Sequence, residues 1–495
     1  MKPISLLFPL FCILAGCPAS RSTTAPPVET SVEESSKSSL HPHWKGSTRI
    51  NETLALDFNV SFSQEKETLT GKISIPVQGV ANAPLSSVLV ENGVLSFHLA
   101  TPNAPELHWP KFRFEGVLQQ ERVTGSLAQA GQVFETTLQR VETLQRPQTP
   151  QPPFPYTSRD VTYAGADTNT LLAGTLTVPP GEGPHPAVIL ISGSGPQDRN
   201  GTVMGHPLFW VIADHLSRRG VAVLRVDDRG VGTSTGARQD LTSLVFADDV
   251  SQGVSFLSKQ PEIDPTRIGL IGHSEGGLIG PIVASTREDV AFLVLLAGPG
   301  VNGFEILIRQ NAEMFLALGA PKEDVDTMVS TYRGLLDPSR ATPPAAEEIR
   351  PLIEQQLALS GAPPMDDSTR EVQLQHHTKQ FQALQNSPWI QTFMKLEPAT
   401  YLKQVSAPVL ALNGTKDLQV LHDQNLPAIA AALKEGGNTR TETLAMEGLN
   451  HLFQTAEKGT VEEYAVIEET ISPAVLQKIS DWLSATLAPE AVSPK

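Results

Sequence analysis

Residues 268–277 read Ile268-Gly269-Leu270-Ile271-Gly272-His273-Ser274-Glu275-Gly276-Gly277. A short apolar run enters Gly-x-Ser-x-Gly, and a helix-compatible stretch leaves it. The order strand, serine, helix places Ser274 on a sharp turn with its hydroxyl projecting above a sheet edge. Glycines at 272 and 276 leave room where a Cβ would collide. The N-terminus of the following helix favours negative charge developing at a reacting oxygen. A bare Gly-x-Ser-x-Gly is a weak signal. Set between an apolar strand and a helix it is specific, and it makes Ser274 the candidate nucleophile rather than a structural turn serine.

The same rhythm extends to both sides. Ala187–Ile191, Val221–Val226, Phe292–Leu296 and Val409–Leu412 are short apolar runs bounded by turn residues. Amphipathic stretches at Pro207–Arg219, Thr242–Lys259, Gly276–Ser285, His422–Lys434 and about Ala474–Leu487 alternate with them. Strand–helix alternation means βα units and a mainly parallel sheet, so the fold class is α/β. Ligands of such sheets sit at the carboxyl ends of the strands. From about 303 to 389 the alternation stops and only helical patterns occur. An insertion of that size is expected to form a helical lid that excludes water and shapes a pocket.

A nucleophilic serine needs a base and a group that orients the base. In strand–elbow–helix hydrolases the order is serine, acid, histidine. Of the twelve histidines, only His422 and His451 follow the next acid-bearing strand. His422 opens the helix just beyond that strand, too close to the acid to be its partner. His451, in the loop after the apparent strand Glu442–Met446, is the candidate base. The strand Val409–Leu412 ends in Asn413-Gly414-Thr415-Lys416-Asp417, which brings Asp417 to the sheet's carboxyl edge as the candidate acid. Glu305 is the alternative acid. An oxyanion hole needs two N–H donors. They are expected from Glu275, directly after the nucleophile, and from Ser194 or Gly195 in Ser192-Gly193-Ser194-Gly195-Pro196, since Pro196 has no N–H. The Gly-rich loop lacks the lysine and spacing of a phosphate loop. The acids and arginine of Asp227-Asp228-Arg229-Gly230-Val231-Gly232 are expected to lock their loop by an ion pair. No His/carboxylate group has metal-ligand spacing, His376-His377 included, so neither metal nor cofactor is expected.

The chain before this region is organised differently. Residues 44–142 carry short alternating segments, among them Leu54–Phe62, Leu69–Ile75, Val88–Val90, Val94–Leu99, Phe112–Leu118 and Phe134–Leu138. Helical periodicity is missing, and a small antiparallel barrel or sandwich is expected. Residues 143–155 hold four prolines between Arg146 and Pro153 and read as a semi-rigid linker to a domain at 156–490. Residues 17–43, rich in Ser, Thr, Pro and Glu, read as a flexible tether.

The formal net charge of −16 disfavours nucleic acid as a partner. The two cysteines, Cys12 and Cys17, both lie at the extreme N-terminus, which leaves no disulfide, thiolate metal site or cysteine nucleophile in the remainder. Ile4–Ala15 has the length of a signal-peptide apolar region, too short for a membrane span. It ends in Leu14-Ala15-Gly16-Cys17, which resembles the bacterial lipobox. The resemblance implies a signal peptide at 1–16 and a lipid on Cys17 tethering an exported protein to a membrane, facing periplasm or cell exterior. An ordinary secretory signal beside a chance cysteine is the alternative.

Taken together, Ser192–Arg199, Asp227–Gly232, Gly272–Gly277, Val294–Gly300, Asn413–Val420 and Gly448–Phe453 resemble the EstD-type bacterial carboxylesterases. These are α/β hydrolases related to the serine aminopeptidase-like hydrolases. The resemblance covers about residues 156–490. It implies a triad of Ser274, Asp417 and His451, a β domain ahead of the catalytic one, and a small-molecule ester of short to medium acyl chain as substrate. A peptidase or thioesterase with the same triad, or an envelope-binding lipoprotein with secondary hydrolase activity, stays open.

Overall fold

The computed structural model describes residues 40–49, 55–65, 68–75, 80–99, 113–129, 132–141, 146–238, 240–340, 342–360 and 367–488. The expected signal peptide, Cys17 and the tether as far as residue 39 lie outside them, as do residue 142 and residues 143–145 of the expected linker. The chain divides into two compact units; among the described residues the first holds those up to Gln145 and those within Ser360–His376, and the second holds Arg146–Leu359 and those from His377 onward.

The first unit is a closed antiparallel barrel of eight strands. They are β1 (His43–Arg49), β2 (Ala55–Glu65), β3 (Thr68–Ile75), β4 (Val80–Glu91), β5 (Val94–Leu99), β6 (Arg113–Leu118), β7 (Arg122–Gln129) and β8 (Gln132–Arg140). Each strand pairs with the next, and β1 pairs back onto β8 to close the ring. The hairpin between β4 and β5 turns at Asn92 and Gly93, both at positive φ, as its two-residue turn requires. Every second side chain points inward, and Trp44, Phe58, Phe97, Phe114, Leu95 and Leu127 fill the interior. Glycines make space for these rings. A Cβ on Gly46 would sit 2.2 Å from the Phe58 ring.

After the barrel the chain forms β9 (Thr157–Ala164), β10 (Leu171–Val178), β11 (His185–Ile191), the small hairpin β12 (Thr202–Val203) and β13 (His206–Pro207), and α1 (Leu208–Ser217). Next come β14 (Ala222–Val226), α2 (Ser243–Leu257), β15 (Ile263–His273), α3 (Gly276–Ala284) and β16 (Leu293–Leu296). Helices α4 (Gly303–Ala317), α5 (Lys322–Leu336), α6 (Ala346–Leu359), α7 (Asp367–Gln385), α8 (Pro388–Phe393) and α9 (Pro398–Leu402) separate β16 from the next core strand. The chain closes with β17 (Val409–Gly414), α10 (His422–Glu435), β18 (Thr441–Met446), α11 (Val461–Tyr464) and α12 (Pro473–Thr486).

The second unit is built on an eight-stranded sheet in the order β18-β17-β16-β15-β11-β14-β10-β9. From β14 to β18 every pairing is parallel, and β10 runs antiparallel to both its neighbours. The central strands are buried on both faces, which is why they read as continuous apolar runs. One face packs Val188, Val223, Ile271, Val294 and Leu410 against Ile212 and Leu216 of α1 and Ile479 and Leu483 of α12. Each such fully buried aliphatic side chain contributes about 1.5–3 kcal/mol.

From Arg146 onward the expected linker is fastened to the second unit. Arg146 donates to the carbonyls of Met204, Ala465 and Ile467, and Gln148 exchanges hydrogen bonds with Thr470 and Ile471. Among the described residues no helix is long and apolar enough to cross a membrane.

Candidate active site

The turn after β15 carries Ser274 at φ +54°, a left-handed conformation that non-glycine residues adopt reluctantly. The strain is held by neighbours on every side. Ser274 N–H donates to the Leu296 carbonyl at 2.9 Å, and Gly277 N–H donates to the Ser274 carbonyl at 2.8 Å. A Cβ on Gly272 would fall 2.0 Å from the Gly276 carbonyl oxygen, and one on Gly276 would fall 2.2 Å from that of Ile191. Both glycines are therefore obligatory for the turn, on steric grounds that backbone cannot relieve. α3 begins directly behind the serine with Glu275 as its N-cap residue.

His451 and Asp417 meet across two loops at the same edge of the sheet. His451 Nδ1 and Asp417 Oδ2 are 2.8 Å apart, and both residues are buried. The second Asp417 oxygen accepts from the N–H groups of Gln419 and Val420 at 2.8 and 2.9 Å, so the turn after β17 presents one oxygen to the histidine. Lys416 points away and donates to the carbonyls of Ala456 and Glu457. The two loops are zipped together. Lys416 N–H donates to the Leu449 carbonyl, and Gly448 N–H donates to Thr415 Oγ1. Gly414 allows this approach, because a Cβ there would lie 2.1 Å from the Leu449 oxygen. The alternative acid, Glu305, sits in the first turn of α4, where Arg333 holds its carboxylate at 2.7 and 2.9 Å.

The loop after β11 comes against the serine from the other side. A Cβ on Gly193 would lie 3.0 Å from Ser274 Cβ and 3.5 Å from its Oγ. Gly195 follows at φ +87°. Asp228 braces this loop, accepting from Ser192 Oγ at 2.7 Å and from Gln197 N–H at 2.8 Å. Burial pushes the Asp228 carboxyl up to about 7, against those two hydrogen bonds.

Three contributors are not legible as site residues in the sequence. His273 packs its ring beside His451, 4.8 Å between centroids. Gly193 brings its loop so near Ser274 that a Cβ there would lie 3.0 Å from the serine Cβ. Glu275, expected only as an N–H donor, buries its carboxyl beneath the elbow, and burial raises its pKa. The loop at 227–232 is locked by ion pairs, but with partners from elsewhere. Asp227 pairs with Arg199, and Arg229 pairs with Asp249 and Asp167. Among the described residues no cluster of three His, Cys, Asp or Glu is placed to hold a metal.

A mainly parallel sheet with one antiparallel strand, a strained serine between strand and helix, and an Asp–His pair at the strand ends define the α/β-hydrolase class. The chain belongs to the alpha/beta hydrolase family, whose profile matches residues 188–463. It is 26% identical to esterase EstD of Thermotoga maritima over 334 residues, 67% of this chain and 68% of that one. It is 32% identical to the polyketide transferase ATR5 of Stachybotrys chlorohalonatus over 108 residues, 22% of this chain and 36% of that one. Among solved structures, the alpha/beta hydrolase GrgF from Penicillium sp. sh18 is 17% identical and aligns with a TM-score of 0.41. That alignment covers 67% of this chain and 100% of the other.

Proposed function

We propose that this hydrolase is a serine carboxylesterase acting on small esters of short to medium acyl chain. The observation that carries the reading is the positive-φ elbow at Ser274 beside the 2.8 Å His451–Asp417 contact. Ser274 Oγ attacks the ester carbonyl carbon while His451 accepts its proton. Asp417 holds the imidazole in the tautomer that presents Nε2 to the serine and stabilises the imidazolium. The tetrahedral oxyanion is met by the Glu275 N–H and by the N–H of Ser194 or Gly195. Collapse expels the alcohol, which takes the proton from His451 and leaves an acyl-enzyme on Ser274. Water then attacks the acyl carbon with His451 again as base, releasing the acid and restoring the serine. The helical insertion serves as the lid over this chemistry.

Labelling with a fluorophosphonate probe and turnover of p-nitrophenyl esters graded by chain length test the assignment. Ser274→Ala abolishes both, and retention of either above background refutes it. A panel of amide and thioester substrates separates the esterase from a peptidase or thioesterase.

The Leu14-Ala15-Gly16-Cys17 stretch supports a second proposal: the chain is exported, cut before Cys17 and anchored to a membrane by lipid on that cysteine. Labelled palmitate enters the wild type and not Cys17→Ser. Equal incorporation in both overturns the anchor.

A further inference from the structure

Glu275 is placed at a junction that its role as an N–H donor does not explain. It is 2% exposed and directly follows the nucleophile. Its carboxyl accepts from Ser243 Oγ at 2.6 Å, at the first residue of α2. Trp389 Nε1, in α8 of the helical insertion, lies 2.9 Å from both of its oxygens. The Ser194 side chain, in the loop after β11, also faces the carboxyl and favours its charged form. One buried group therefore joins the elbow, α2 and the insertion, and faces the glycine-rich loop.

A carboxylate is an acceptor on all its lone pairs, so it sets the direction of each donor around it. Ser194, whose N–H is proposed to face the oxyanion, turns its side chain toward this carboxylate. Asp228 grips the same loop on either side of that point, through Ser192 and Gln197. A loop gripped on both sides of Ser194 and faced by the Glu275 carboxyl resists the fraction-of-an-ångström drift that weakens an oxyanion hole. Burying an acid beside a site where negative charge develops is electrostatically unfavourable. An apolar side chain would fill the space without that penalty but could not hold three polar partners.

We propose that Glu275 is a positioning residue, whose carboxyl sets the spacing of the two oxyanion donors and ties that spacing to the insertion through Trp389. The proposal rests on the acyl-transfer reading above. It makes the insertion part of the machinery that stabilises the transition state. With the insertion seated, Trp389 completes the set of donors; with it displaced, the carboxyl loses one anchor and Ser194 is free to turn.

The test uses the full chain with a p-nitrophenyl ester and an alkyl boronic acid, whose adduct with serine mimics the tetrahedral state. In Glu275→Ala, kcat falls by about 10²-fold, the scale of one lost oxyanion donor, while KM stays within threefold. Boronate affinity falls in parallel. Glu275→Gln, which keeps shape and one acceptor, recovers at least tenfold of the loss. Ser194→Ala and Trp389→Phe, the latter keeping the stack on Phe393, each lower kcat about tenfold at constant KM. Ser194→Ala adds little in a Glu275→Ala background. A folded Glu275→Ala enzyme with kcat and boronate affinity within threefold of wild type overturns the proposal while leaving the esterase reading intact. So does a loss confined to KM. If Glu275→Ala does not fold, unchanged kcat in both Ser194→Ala and Trp389→Phe overturns it. Turnover surviving in Ser274→Ala removes the acyl-transfer reading and this proposal with it.

Discussion

His273 Nε2 donates a 2.9 Å hydrogen bond to the main-chain carbonyl of His451, and the two imidazole rings lie 4.8 Å apart. A carbonyl only accepts, so the His273 proton is on Nε2. Burial, with His451 as a second cause, pushes the His273 pKa down to about 3, which keeps that ring neutral beside a histidine proposed to become charged. The residue before the nucleophile thus steadies the backbone of the proposed base. His273→Ala should leave the His451 carbonyl unpaired, destabilise the fold by about 1–3 kcal/mol and lower kcat/KM about tenfold. His273→Gln, whose amide can reach the same carbonyl, should recover most of both. Thermal melts and steady-state kinetics on the two variants decide it, and equal behaviour of Ala and Gln would show that the hydrogen bond does not matter.

Asp417→Asn isolates the orienting acid. The oxygen facing Gln419 and Val420 can remain an oxygen, so the turn should survive. The other position becomes an NH₂ facing His451 Nδ1, which forces the wrong tautomer. The expected loss in kcat is about 10³–10⁴-fold with little change in melting temperature. A loss under tenfold in a folded variant would reassign the acid.

The sheet was legible where its strands are buried on both faces, because such strands must be apolar throughout. β9 and β10 escape that signal. β9 is an edge strand with four exposed residues in a row, and β10 interleaves Gly and Thr among its apolar positions. In the barrel, β1 and β7 are obscured for a related reason. β1 turns Trp44 inward and uses Gly46 to admit Phe58, and Gly125 of β7 packs on Gly116 of β6, so small residues stand where a pattern search wants large ones. Ser274, His451 and Asp417 could be selected from chain order and strand ends alone. Glu275's carboxyl and His273 could not, since their partners lie 32 to 178 residues away and only folding joins them.

The carboxyl of Asp228 gives the stability a pH dependence of known sign. Folding raises it to about 7, chiefly by burial, whereas an unfolded chain releases the same proton near 3.8. Between these values the folded state holds a proton that the unfolded state has lost. Its contribution is therefore complete below about pH 4 and falls away as pH rises to about 7. Asp228→Asn can still satisfy Ser192 and Gln197 while removing the titration. Melting temperature followed from pH 4 to 8 should show a wild-type-minus-variant difference that declines with pH and levels off above 7. A difference that grows with pH would reverse the sign and refute the assignment.

The loop at 227–232 is locked by a buried ion pair. Arg229 makes a two-pronged contact with Asp249, Nε to Oδ2 at 2.9 Å and Nη2 to Oδ1 at 2.7 Å, with both side chains 7% exposed. Asp249 Oδ1 also accepts from the Ala166 N–H at 3.0 Å, which binds the turn between β9 and β10 to α2. A charge stripped of its partner in such a place has little water to turn to. Arg229→Ala should destabilise the fold by about 3–5 kcal/mol, most of it from Asp249 left buried without its cation, whereas Asp249→Ala should cost less because Arg229 keeps its contact with Asp167. The double variant removes both charges and should lie well short of the sum. Urea unfolding of the four proteins measures the coupling. If the two losses simply add, Arg229 and Asp249 do not act as a pair, and the loop is held by the Arg199–Asp227 contact instead.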